Sequence, residues 1–167
     1  MAETARQREI AAVARRLLDA EGTEALTLGR IARELGIRTP SLYKHYPSKR
    51  ALEARVIAAG LEEHAEAMEA TDGTLAQIAA AYRRFALERP QLYELMTAGP
   101  LPRDELPEGL EARAAAPLVA AVGDADLARA AWALAHGMVT LELAGRFPAD
   151  ADLDAAWAKA IAALGGG

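Results

Sequence analysis

The sequence predicts an all-α protein with an N-terminal three-helix helix-turn-helix domain and a second helical domain of about five or six helices. Three features point there. Residues 27–52 read as two short helices around a glycine turn, each opened by a capping residue. Elsewhere, apolar residues recur at i, i+3, i+4 and i+7 between Thr, Ser or Asp starts and Gly or Pro stops. One stretch, Leu127 to Phe147, is apolar on nearly every helical face.

In chain order, the first helix is expected from Thr4 to Glu21, with Ile10, Val13, Ala14, Leu17 and Leu18 as its apolar stripe and Gly22 as its stop. Thr27 caps the second, whose face is Leu28, Ile31, Ala32 and Leu35. Gly36 supplies a left-handed turn. Thr39 is expected to cap the third, with Pro40 at its first position and Leu42 to Tyr46 making little more than one turn before Pro47. Leu28, Ile31 and Leu35 should pack on the first stripe, because so short a helix gains its order only from tertiary contacts. Ser48 caps a long helix to about Ala70 and marks the domain boundary, giving domains 1–47 and 48–167.

Thr71-Asp72-Gly73 breaks that helix, and Thr74-Leu-Ala-Gln77 has the capping-box form. The next carries Leu75, Ile78, Ala79, Tyr82, Phe85 and Ala86 on one side. Arg89-Pro90 closes it and restarts the chain toward Met96. Residues 99–109 hold Pro100, Pro102 and Pro107 and are expected to form an exposed, mobile connection. A helix from Leu110 to Val122 is interrupted or entered at Pro117. After Gly123-Asp124 comes the apolar helix, whose burial asks for a symmetric partner. The last, Asp152 to Leu164, adds Leu153, Trp157, Ala160, Ile161 and Leu164.

Composition limits the chemistry. The net charge of −5 hides a division: through Arg55, eleven Lys or Arg stand against seven Asp or Glu (+4), and beyond it eight stand against seventeen (−9). A basic lobe beside an acidic remainder steers DNA to one side. Cysteine is absent, so no disulfide or thiolate site is available, and a reducing cytoplasm is expected. The start of the chain has no apolar run fit for a signal peptide or membrane span. The only serines, Ser41 and Ser48, both open helices, and there is no phosphate-cradling glycine loop or acid/base pair; no enzymatic activity and no cofactor are expected. His64 lies among Glu62, Glu63, Glu66 and Glu69, but without a second histidine it is expected to be a solvated surface residue, and no metal site is expected.

The third helix presents hydrogen-bonding, aromatic and cationic groups on an element that fits a major groove. No acidic residue occurs between Gly36 and Arg50, where Arg38, Lys44 and Lys49 are cationic. Sequence-specific binding of double-stranded DNA is the function this predicts. The alternative is a helical ligand-binding or interaction module with little sequence-specific DNA binding.

The run from Gly36 to Leu52, with Leu42-Tyr43, His45-Tyr46, Ser48-Lys49 and the closing Leu52, resembles the signature of the TetR/AcrR-type transcriptional regulators. Further on, Trp132-Ala-Leu-Ala-His136-Gly137 is similar to the Trp…His-Gly helix of one ligand-domain subclass. Arg50, where an acidic residue is common, and the basic Lys44 depart from the pattern. The resemblance implies a homodimeric repressor, released from a palindromic operator by a small molecule. Its implied DNA-binding set is Thr27, Tyr46 and Lys49 on phosphates, with Arg38, Thr39, Pro40, Ser41, Tyr43, Lys44 and His45 at base edges or adjacent backbone. The effector, apolar or aromatic, is expected at Tyr82, Phe85, Tyr93, Met96, Trp132, His136 and Met138. The twofold interface is expected at Ala133, Gly137, Leu141, Ala144, Leu153, Trp157, Ile161 and Leu164.

Overall fold

The structure is a computed structural model, and it describes residues 3–165. It has nine α-helices and no strand among the described residues: α1 (Ala5–Glu21), α2 (Leu28–Glu34), α3 (Thr39–Leu42), α4 (Lys49–Glu69), α5 (Leu75–Glu88), α6 (Pro90–Thr97), α7 (Leu110–Val122), α8 (Ala125–Leu143) and α9 (Leu153–Gly165). None is long and apolar enough to cross a membrane.

The chain divides into two compact units, and the division differs from the expected boundary at Ser48. One unit runs through Leu61 and takes in Gln91–Glu108; the other comprises Glu62–Pro90 and everything from Gly109. The 21 residues of α4 are one unbroken helix that contributes its first part to the former and its last part to the latter.

In the first unit, Thr4 caps α1 through a full capping box with Gln7. The expected stripe of α1 is buried, and Ile10, Leu18, Ile31 and Leu42 are all 0% exposed. Leu28 and Leu35 are only half-buried, so Ile31, Ala32 and Leu26 fill the places assigned to them. Gly36 turns the chain at φ +64°: its N–H donates to the Arg33 carbonyl and that of Ile37 to Ala32, the paired bonds of a Schellman stop. Helix α3 begins one residue early. Arg38 sits at the capping position without a side-chain bond, and Thr39 is already helical, with Pro40 in the first turn.

Residues 99–109 are a connection, but an anchored one. Pro102 is buried, Arg103–Glu105 form a 3₁₀ turn, and Asp104 and Glu105 pair with Arg50 at 2.5 and 3.1 Å. The departure at Arg50 is thus occupied within the protein. Helix α6 approaches α4 closely at Gly60, where an added Cβ would come within 2.6 Å of Met96 Sδ and 3.0 Å of Leu92 Cδ1.

The second unit is built on α5, which buries Ile78, Ala79, Ala81, Tyr82, Phe85 and Ala86 against its neighbours. Helix α7 continues through Pro117 without interruption. Helix α8 is not buried all round within the chain: Ala128, Ala131 and Val139 are inside, while Trp132, Leu134, Leu141 and Leu143 remain 39–51% exposed.

Candidate DNA-reading and ligand sites

The reading surface is assembled by packing rather than by helix propensity. Four residues cannot hold a helix in water. Helix α3 keeps its shape because Leu42 is fully buried and the segment after it is tied to α1: the Gln7 side chain donates to the His45 carbonyl at 3.2 Å, and the Tyr46 hydroxyl donates to the Gln7 carbonyl at 3.1 Å. Tyr46 is 6% exposed, and burial with Glu3 nearby pushes its hydroxyl up to about 12. Its expected contact with phosphate is therefore corrected; Tyr46 holds the scaffold. Glu3, ion-paired to Arg55 at 2.6 Å, has its carboxyl held below the ordinary range by that guanidinium.

With Tyr46 turned inward, the neighbouring side chains are left outward. Tyr43 is 52% exposed; Arg38, Pro40, Lys44 and Lys49 are exposed, and Thr39, Ser41 and His45 half-buried. Arg38 and Lys44 form no ion pair among the described residues, so their charge is available to an anion. Lys49 pairs with Glu53 one turn on, at 3.2 Å. Thr27 is exposed, and its hydroxyl accepts the Arg30 N–H at 3.2 Å as the α2 cap.

The expected ligand residues are not all brought together. Tyr82 of α5 and Trp132 and Met138 of α8 line a cavity in the second unit, with Leu118 of α7 and Trp157, Ile161 and Leu164 of α9. Tyr93 and Met96 belong to the other unit and are no part of it. His136 stacks on Trp132, ring centroids 6.0 Å apart, and Phe85 lies behind Tyr82 against His64. The cavity holds about 40 Å³, far below the roughly 300 Å³ at which ligand pockets begin, so it receives a ligand only by opening.

The expected interface is also divided. Ala133 and Leu141 on α8 and Ala144 at its C-terminal cap are exposed, and Gly137 has open space where a Cβ would stand. On α9, however, Trp157, Ile161 and Leu164 face the cavity, and Leu153 is half-buried. The outward face of α9 is instead Ala158, Lys159, Ala162 and Ala163.

Two features escaped the sequence. Arg83 reaches Glu142 at 2.7 Å and Asp154 at 2.5 Å and lies 5.7 Å over the Trp157 ring, joining α5, α8 and α9. Charges on otherwise apolar helices were the available signal, but a pair 59 positions apart cannot be matched from one sequence. His64 is the other. It is half-buried rather than exposed: its ring meets Tyr82 and Phe85 edge to face at 5.5 and 5.3 Å, and burial pushes its pKa down to about 4.

A short helix presented on a buried three-helix core, followed by a helical domain with its own cavity, defines a helix-turn-helix protein with an added helical domain. Comparison with known proteins gives the family. Residues 10–56 match the model for bacterial regulatory proteins of the tetR family, and residues 75–164 match that for the tetracyclin repressor-like C-terminal domain. The uncharacterized HTH-type transcriptional regulator Rv0681 of Mycobacterium tuberculosis is 34% identical, covering 90% of this chain and 75% of its own length. The crystal structure of regulatory protein SCO4313 superposes with TM-score 0.78 at 25% identity, covering 99% of this chain and 97% of that one. A TetR transcriptional regulator from Rhodococcus sp. RHA1 shares the fold, with TM-score 0.64 at 19% identity, over 98% of this chain and 97% of its own. The chain belongs to the TetR family of transcriptional regulators.

Proposed function

We propose that the protein is a cytoplasmic, homodimeric repressor that holds a palindromic operator and is released from it by a small molecule. The observation that carries the DNA half is the set of outward groups around α3, Tyr43, Arg38 and Lys44, unpaired among the described residues, on a scaffold fixed by Leu42 and Tyr46. Arg38, Thr39, Pro40, Ser41, Tyr43, Lys44 and His45 face the groove; Thr27 and Lys49 hold phosphates and set the register. The exposed apolar face of α8 supports the dimer, because a monomer leaves Trp132, Leu134, Leu141 and Leu143 in water. Two α3 helices then read half-sites about 34–36 Å apart, or a multiple of it. Ligand entry opens the second unit, and α4, shared by both units, carries the change to α3.

Selection from a random duplex library, followed by salt titration of the recovered DNA, tests this reading. The expected result is a palindrome bound with a steep loss of affinity as salt rises. Sequence-independent binding, or none, overturns it and leaves a helical ligand-binding or interaction module.

A further inference from the structure

His64 Nδ1 is buried and finds no hydrogen-bond partner among the described residues. An unsatisfied buried polar atom is costly and is uncommon enough to ask for a partner. Its surroundings define that partner's chemistry. Tyr82 and Phe85 set their rings perpendicular to the imidazole, and Tyr82 also lines the apolar cavity, so one side chain adjoins both His64 and the space where a ligand enters. Burial favours the uncharged imidazole and penalises a charged ligand for the same reason. A hydroxyl satisfies the nitrogen in either tautomer, since it can donate or accept. An aromatic ring suits the cavity, whose lining includes the rings of Tyr82, Trp132 and Trp157, through edge and face contacts.

The geometry points to a neutral aromatic alcohol of the phenol class as the ligand of the second unit, its ring in the cavity beside Tyr82 and its hydroxyl on His64 Nδ1. This rests on the reading that the second unit receives a small molecule, and it is independent of DNA. His64 does not itself line the cavity and Tyr82 packs against it, so Tyr82 must swing aside for the hydroxyl to reach Nδ1, and binding includes that rearrangement.

Calorimetric titration of the full-length protein with 4-propylphenol and with propylbenzene tests the assignment. The phenol is expected to bind on the order of tenfold more tightly, the effect of one buried hydrogen bond. The preference should disappear in His64→Leu. The imidazole nitrogen resonances of the unaltered protein should respond to the phenol and not to propylbenzene, which keeps the test valid if the variant folds poorly. Equal binding of both compounds, as when solvent already satisfies His64, or binding of neither, overturns the inference. Operator affinity measured alongside separates the two failures: phenol selectivity without DNA binding sinks the regulator reading alone, and DNA binding without phenol selectivity sinks this one alone.

Discussion

At the scale of single residues, position in the scaffold decides what a polar group does. Tyr43 and Tyr46 lie three apart, yet one is 52% exposed and the other 6%, so only the first can meet DNA. Replacing Tyr43 and Lys44 together by Ala should leave unfolding within about 0.5 kcal/mol, as for exposed positions generally, while operator affinity measured by anisotropy falls at least about tenfold. Full affinity in the double variant would remove α3 as the reading element. His64 makes the opposite case. Its folded pKa of about 4 lies below the ordinary 6.5, so the unfolded chain binds the extra proton first as pH falls. Stability is therefore undiminished by this group above about pH 6.5, declines below it, and has lost on the order of 3 kcal/mol by pH 4. Carboxylates such as Glu3 and Glu69, held low by Arg55 and Arg113, also lose stability on acidification, so the difference between proteins is what counts. Urea unfolding of His64→Leu between pH 7 and 4 should show a shallower decline than the unaltered protein; parallel curves would mean that His64 is hydrated.

At the scale of elements, helix packing turns on a few contacts that sequence periodicity does not reveal. Gly60 is an instance: it lies within α4, where a glycine costs about 1 kcal/mol relative to alanine. The structure gives the reason, since α6 presses Leu92 and Met96 against it. In Gly60→Ala the flexible Met96 can yield, but Leu92 is 0% exposed and cannot move freely. Overpacking of this kind costs about 1–3 kcal/mol, so a net loss of about 1 kcal/mol is expected in thermal unfolding. A gain in stability would show that α6 shifts at no expense. The same reasoning explains which elements were legible. Helices α1, α4, α5 and α7 end within about a residue of the capping residues that forecast them, because caps and stops act locally. The exposed groups of α3 could be read for the same reason, since Pro40, Gly36 and the absence of acids are all local signals. What could not be read depends on distant partners. Arg50 meets Asp104, Arg83 meets Glu142, and α9 turns its Trp157 stripe toward the cavity rather than outward. His64 looked solvated among glutamates because the aromatic rings that enclose it lie on α5.

At the scale of the whole molecule, the unanswered demand is the apolar surface of α8. Trp132, Leu134, Leu141 and Leu143 are each 39–51% exposed on this one helix, and Ala133, Gly137 and Ala144 between them are small enough for a second helix to come close. A twofold pairing through this face brings each side chain near its own copy, so a single charge is met by a like charge across the axis. Leu141→Glu places that charge on a side chain already 44% exposed, where the folded chain itself tolerates it. Sedimentation velocity should then report a monomer with unchanged helical circular dichroism. If, as proposed, each α3 reads one half of a palindrome, operator affinity should fall by about a hundredfold or more, while affinity for an isolated half-site stays close to that of the unaltered protein. A Leu141→Glu protein that remains dimeric would move the interface to another face. One that becomes monomeric yet keeps full operator affinity would mean that the two recognition helices do not act as a pair.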